Sequence, residues 1–458
     1  MEAMGYEEAF AALSSGDYRR AAPLLEKAAA ETGYRSDMIN HACTLALHRA
    51  NEFSRVADTA FRVGMATVAD DPASAMDYFQ RAVQAGLDPT RVRQIGEIFE
   101  EWAGERRPGR LRGKISRVGH VIGSMAPESQ PTRNIRNLTV SLKAQGIESL
   151  VFATECSSGW FWNPIPAPGG DGDFIERSDR IVEAIRESGL QLVFYHADLS
   201  DQIAARVASQ QPAPVQVSVS DGVEMAADLF DGFIHLSQNG LERTRFRHHP
   251  AMWIPPSSDV ADRLRSSTFE NRTSLGIASA ETVSASFSSS SRGHAEFVKM
   301  MIELLKRFPL HYHFLAGAAD VRAVRGALHA EGVLPRLRFL GGEANAAPLL
   351  GVVDVYLAPF PDSGRLSVLD MMGAGKPVVA MSHATNSEFN TAAELVGDRG
   401  LTPRTSAEYL AIADKLLRDT EARERWGNAM HGRSTQEFSG EKLGARYLQF
   451  LEQLGSEA

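Results

Sequence analysis

The sequence is poor in the features that would commit a chain to an unusual class. It has two cysteines in 458 residues, Cys43 and Cys156. Two thiols so far apart give neither a disulfide framework nor a zinc-ligand spacing, and they read as reduced thiols. No apolar run reaches the ~18 residues of a membrane-spanning helix. The first ten residues carry Glu2, Glu7 and Glu8 and no basic stretch, so no secretory signal is expected and a cytoplasmic location is. Positive charge is in short supply: 48 Lys+Arg face 57 Asp+Glu, a net charge of −9. A nucleic-acid binder needs a basic surface for phosphates, so that partner class is set aside. A small basic pocket for one phosphorylated ligand remains compatible. At roughly 100–200 residues per domain, the length suggests about three domains.

The first hundred residues are rich in Ala, Glu and Leu at helical spacing. Tyr6, Ala9, Phe10 and Leu13 form one apolar stripe, Ser15-Gly16-Asp17-Tyr18 a turn, and Ala21, Leu24, Leu25 and Ala28 a second stripe. This unit resembles a tetratricopeptide repeat, whose period is about 34 residues. The turn recurs at Asn51, and a degenerate third unit follows around Asp71-Pro72 to Gly86. Such a region implies either a concave surface for a peptide or protein or a helical cap on the next domain.

The rhythm changes after Arg106 to Gly113, a basic Pro/Gly stretch that reads as a linker. Short β-branched runs then alternate with helical patterns: strands near 115–122, 149–153, 190–195, 214–219 and 230–236, with helices between them. Residues 250–271 read as a crossing segment. The alternation restarts with strands near 283–287, 312–316, 337–340, 355–358 and 377–381, and helices that include 295–308, 346–352 and 366–374. Alternation of this kind predicts an α/β chain with two Rossmann-like parallel sheets, whose carboxyl ends share a cleft. The expected divisions are 1–106 (helical), 107–113 (linker), 114–256 and 272–432 (the two halves) and 433–458 (a last helix packing back on the N-terminal half).

The stretch with the most chemistry is Asp354 to Val379. It reads as a strand, a loop with Asp362-Ser363-Gly364, a helix from Leu366, a Gly turn and a strand. Backbone N–H groups of Gly364 to Ser367 at the helix start suit a diphosphate, Arg365 can add a bidentate contact, and Asp370 can accept from ribose hydroxyls. In the first loop of the same half, Ser288 to His294, Arg292 is a second candidate phosphate ligand.

These residues resemble the nucleotide-sugar site of GT-B glycosyltransferases. Asp362-x7-Asp370 occupies the positions where the large retaining family carries two glutamates, and Gly373-Ala374-Gly375-Lys376-Pro377 matches its following turn. Pro361-Asp362-Ser363-Gly364 with Asp370 resembles the O-GlcNAc transferase-like branch, which the helical N-terminus also favours. There the loop, Ser363, Gly364, Arg365, Leu366 and Ser367 here, binds the UDP diphosphate, and the aspartate binds ribose. Arg365 and Leu366 stand where that branch has a His-Thr pair, and Asp replaces Glu twice against the retaining pattern.

On the acceptor side, the loop after the first strand runs to Glu128-Ser129-Gln130-Pro131-Thr132. The O-GlcNAc transferase-like branch tends to place a histidine where Gln130 stands, and Gln130 is no base. The base is therefore sought elsewhere: Asp221 first, then Glu128, with Glu224 and His196 as further candidates. Asp362 is counted with the catalytic carboxylates. The resemblance implies a metal-independent transferase with a UDP-sugar donor and no other cofactor. Its acceptor would be a protein or peptide presented by the helical domain, through which the chain can also self-associate. The alternative is a catalytically weak GT-B-like partner or chaperone of another glycosyltransferase.

Overall fold

The computed structural model of the chain describes residues 2–50, 52–103, 109, 111, 113–125, 129–156, 174–196, 201–220, 229–238, 241, 249–260, 264, 271–287, 295–316, 321–340, 349–360, 364–382, 391–398 and 400–456. Six helices come first: α1 (Glu2–Ser14), α2 (Tyr18–Glu31), α3 (Asp37–Arg49), α4 (Phe53–Thr67), α5 (Pro72–Gln84) and α6 (Pro89–Ala103). The turn between α1 and α2 is built by Gly16, at φ 79°, and by Asp17, whose side chain accepts from the Arg20 N–H. Small residues let these helices approach closely. Ala9, Ala12, Ala21 and Ala22 pack with Leu25, Cys43, Ala46 and Leu47 in one core.

The second half of the helical region has no core of its own. Phe61, Phe79 and Ile95 belong to the same apolar cluster as Val207, Val217 and Phe233 of the first α/β half. Gly109 ties the connection down. Its N–H donates to Asp231 Oδ1 at 3.1 Å, and a Cβ there would lie 1.6 Å from the Pro214 carbonyl oxygen. Rotating α4 to α6 away would expose large apolar area, at about 25 cal/mol per Å2.

The first half contains β1 (Arg117–Met125), α7 (Gln130–Ala144), β2 (Glu148–Cys156), α8 (Phe174–Glu187), β3 (Leu192–His196), α9 (Gln202–Ser209), β4 (Val215–Ser220), β5 (Gly232–His235) and β6 (Ala251–Trp253). They form a six-stranded parallel sheet in the order β2-β1-β3-β4-β5-β6. β3, β4 and β5 are buried almost throughout, which is why they read as apolar runs, whereas β6 is half-buried. β6 lies inside the stretch read as a crossing segment. Its three residues are too short to signal a strand, and only their pairing with β5 makes them one.

The second half contains β7 (Thr282–Phe287), α10 (Ala295–Arg307), β8 (His311–Ala316), α11 (Val321–Ala330), β9 (Leu337–Leu340), β10 (Val355–Leu357), α12 (Arg365–Gly373), β11 (Val378–Val379), α13 (Thr391–Val396), α14 (Ser406–Arg418), α15 (Thr420–Glu437) and α16 (Gly440–Ser456). Its sheet is parallel, in the order β11-β10-β7-β8-β9. Of the helix expected over 346–352, residues 349–352 are described and form a turn, in which the Val352 and Val353 N–H groups both donate to the Leu349 carbonyl; α13 carries too few residues to show periodicity. The chain then returns: Leu443, Tyr447, Phe450, Leu451 and Leu454 of α16 complete the core of the first half. Glycines admit this helix, since a Cβ at Gly232 would lie 2.9 Å from the Phe450 ring and one at Gly444 2.9 Å from the Ser141 carbonyl. Among the described residues, no helix is long and apolar enough to cross a membrane.

Candidate functional site

The site is built on β10 and α12. Asp354 fixes the start of β10: it accepts from the Val283 N–H at 2.8 Å and from Arg272 Nη2 at 2.6 Å. The strand runs out at the carboxyl edge of the sheet, and Gly364 begins the helix. Gly364 is extended, at φ −67° and ψ 123°, and among the described residues it has no side-chain capping bond. Leu366 to Gly373 are all buried, so α12 is apolar all round except for Ser367 and Asp370. Its start is therefore a set of main-chain N–H donors held rigidly by a packed helix. Arg365 is half-buried at the first helical position.

Asp370 departs from its expected role. It is 0% exposed, and both of its oxygens are taken by one guanidinium: Arg133 Nη1 donates to Oδ2 at 3.0 Å and Nη2 to Oδ1 at 2.8 Å. Arg133 comes from the first turn of α7, in the other half. Its Nη2 also reaches Asp259 Oδ1 at 2.8 Å, and Asp259 lies 3.6 Å from Arg136. Burial pushes the Arg133 guanidinium down, but Asp370 and Asp259 more than offset this and raise it above its ordinary value. In this structure the carboxylate expected to meet ribose is enclosed in an ion pair between the halves.

The acceptor-side residues also have structural work. Ser129 caps α7: its Oγ accepts from the Thr132 N–H at 3.4 Å and donates to Thr132 Oγ1 at 2.9 Å. Thr132 is fully buried, and its hydroxyl accepts from Ser129 at the helix start. Gln130 is the first residue of α7. Glu128, Asp221, Glu224, Arg292, Asp362 and Ser363 lie outside the described residues.

His196 ends β3 with Nε2 3.0 Å from Nδ1 of His120, which in turn meets Ser149 Oγ at 3.2 Å. Burial pushes His196 down to about 3, which makes it a poor general base near neutral pH. In the second half, Thr282, His311, Ser284 and His313 form a continuous buried chain of contacts of 2.7 to 2.9 Å. Burial pushes both of its histidines down to about 3. Among the described residues, no group of His, Cys, Asp and Glu can hold a metal ion. One Asp-x-Asp pattern, Asp171-Gly172-Asp173, lies outside the described residues.

Sequence reasoning missed Arg133 and Asp259. One signal was available: a cation in the first turn of a helix opposes the positive end of the helix dipole. Arg133 breaks that rule, and Asp370 is the sole charge in an otherwise apolar helix after Arg365. Each anomaly explains the other.

No family model matches the chain, and no curated protein matches it. Solved structures do. The chain is similar to a mutant of the Thermobaculum terrenum O-GlcNAc transferase, at TM-score 0.55 and 16% identity over 100% of this chain and 98% of that one. It is similar to the sucrose-phosphate synthase of Thermosynechococcus elongatus, at TM-score 0.56 and 15% identity over 75% and 100%. It is also similar to Anabaena HepE in complex with UDP and glucose, at TM-score 0.53 and 18% identity over 74% and 100%. The fold is GT-B. The helical region precedes the two GT-B halves, as the sequence predicts.

Proposed function

We propose that the protein is a glycosyltransferase that moves a sugar from a nucleotide-sugar, a UDP-sugar, to an acceptor. The observation that carries this reading is the start of α12 just beyond the carboxyl end of β10, packed by a buried helix and, among the described residues, without a side-chain cap. A nucleoside diphosphate fits main-chain N–H groups so arranged. Support comes from the similarity to HepE, a protein whose structure holds UDP and glucose. The diphosphate is held by Gly364 to Ser367 N–H groups, with Ser363, Arg365 and Arg292 adding donors. These charges stabilise the leaving group as it departs, so no metal ion is called on. An acceptor oxygen forms the new bond to the anomeric carbon, the bond from that carbon to the diphosphate breaks, and the acceptor proton passes to a carboxylate. Asp221 is the first candidate for that base, followed by Glu128, with Asp362 beside the sugar. The acceptor is a protein or peptide side chain brought in by α1 to α6.

The test is calorimetry with UDP and turnover of UDP-sugars by the wild type, Arg365→Ala and Arg292→Ala. A charge-assisted hydrogen bond contributes about 1.5–3 kcal/mol, so each variant is expected to weaken UDP about tenfold or more. Unchanged affinity and turnover in both variants would sink the site. A second reading, a catalytically weak partner of another transferase, is favoured by the engagement of Asp370 with Arg133 and by Gln130. Absence of UDP binding at millimolar ligand would decide for it.

A further inference from the structure

The two halves meet at a small polar junction. The chain passes from the first half to the second through 254–260 and returns at 438–440, and these two passages are joined where the Ser258 N–H donates to the Phe438 carbonyl at 2.9 Å. α7 lies against the first passage, through Asn137 Nδ2 to the Ser257 carbonyl at 3.2 Å. α12 lies against it from the other side, with Gly373 so close to Val260 that a Cβ would come within 2.1 Å. Arg133 spans all three parts: it starts on α7, touches Asp259 in the passage and closes a two-pronged bond on Asp370 of α12. Both members of the central pair are shut off from water, at 5% and 0% exposure.

We propose that Arg133 is a positioning residue that latches the two halves. It holds the start of α7 in one fixed relation to the start of α12 across the cleft, through Asp370 and Asp259. A guanidinium bonded to both oxygens of one carboxylate fixes orientation as well as distance. Rotation about the passage lengthens at least one of the two bonds and leaves Asp370 buried beside an incomplete partner. The sequence carries the carboxylate at the position expected to read ribose, and the structure commits it to holding the cleft. The latch belongs to the fold and stands apart from the donor reading.

The test measures the distance between the halves in the full chain without ligand. Spin labels at Val140→Cys on α7 and Leu310→Cys in the second half, both more than 60% exposed, report it by pulsed dipolar spectroscopy in a Cys43→Ala, Cys156→Ser background. In the latched protein the distance distribution is narrow. It widens in Arg133→Gln and in Asp370→Asn, and the double variant is no wider than the wider single one. Unchanged distributions in both single variants overturn the latch. Where a neutral variant fails to fold, Arg133→Lys, which lacks the fork, takes its place: widening supports the latch, no change overturns it. UDP calorimetry supplies a second arm. If Asp370 instead reads ribose and Arg133 merely shields it, Arg133→Gln strengthens UDP binding while Asp370→Asn weakens it, and that split overturns the proposal. The latch predicts shifts of the same sign in both. If UDP does not bind at all, the donor reading fails and the distance measurement decides the latch alone.

Discussion

Removing Asp370 tests the energetics of the buried junction directly. In Asp370→Ala the Arg133 guanidinium stays buried and keeps only Asp259, which is itself partly reached by solvent. Breaking a buried pair by deleting one partner costs about 3–5 kcal/mol, and the surviving bond to Asp259 places this variant near the lower figure, about 3 kcal/mol. Arg133→Ala removes both bonds that the guanidinium makes to Asp370, while Asp259 retains Arg136 at 3.6 Å; a loss of about 3–5 kcal/mol is expected. Replacing both, as Arg133→Met with Asp370→Leu, removes the charge and its desolvation together. The double variant is expected to lose no more than about 2 kcal/mol, so the coupling between the sites is well above 3 kcal/mol. Urea unfolding followed by tryptophan fluorescence and far-UV circular dichroism gives the four values, provided the two probes coincide. Additive losses in the double variant would refute the pairing.

Two glycines of α15 make an internally controlled pair. Gly427→Ala places a Cβ 2.1 Å from the Gly375 carbonyl oxygen and should destabilise by about 1–3 kcal/mol. Gly432→Ala on the same helix meets open space and should stabilise by about 0.5–1 kcal/mol, so equal urea midpoints would contradict the packing described. The buried histidines predict acid sensitivity. Burial holds His196, His311 and His313 at about 3 and His235 at about 4. The folded state therefore binds fewer protons than the unfolded chain below pH 6.5. This stabilisation is complete above that value and is lost as pH falls toward 3. His313→Asn, which keeps a partner for Ser284, should flatten the loss between pH 6 and 4 by about 1.4 kcal/mol per pH unit, read from urea midpoints; an unchanged slope would contradict it.

The architecture was legible because local signals repeat. Strand, turn and helix recur through β1, α7 and β2, and again through β10, α12 and β11, where Gly375 at φ 71° marks the turn. Elements without room for a period escaped: β6 has three residues and α13 six. The helical region was legible as helices, and a cap on the next domain was one of its two readings; which residues join the first half's core was not legible, since Phe61 and Phe79 give no sign of their cluster. Candidate residues fared similarly. The helix start at Gly364 followed from a local pattern. The fate of Asp370 did not, because its partner lies 237 positions away. The burial of Thr132 beside the Ser129 cap did not follow from the sequence either. Contacts of this range are set by how two sheets dock, which no spacing encodes.

The central claim is that the start of α12 is a diphosphate site. A crystal structure of the protein grown with UDP tests it most directly. The diphosphate is expected within hydrogen-bond distance of the N–H groups of Arg365 to Ser367, with Asp370 still bonded to Arg133. UDP bound elsewhere, or no UDP at millimolar concentration, would contradict it.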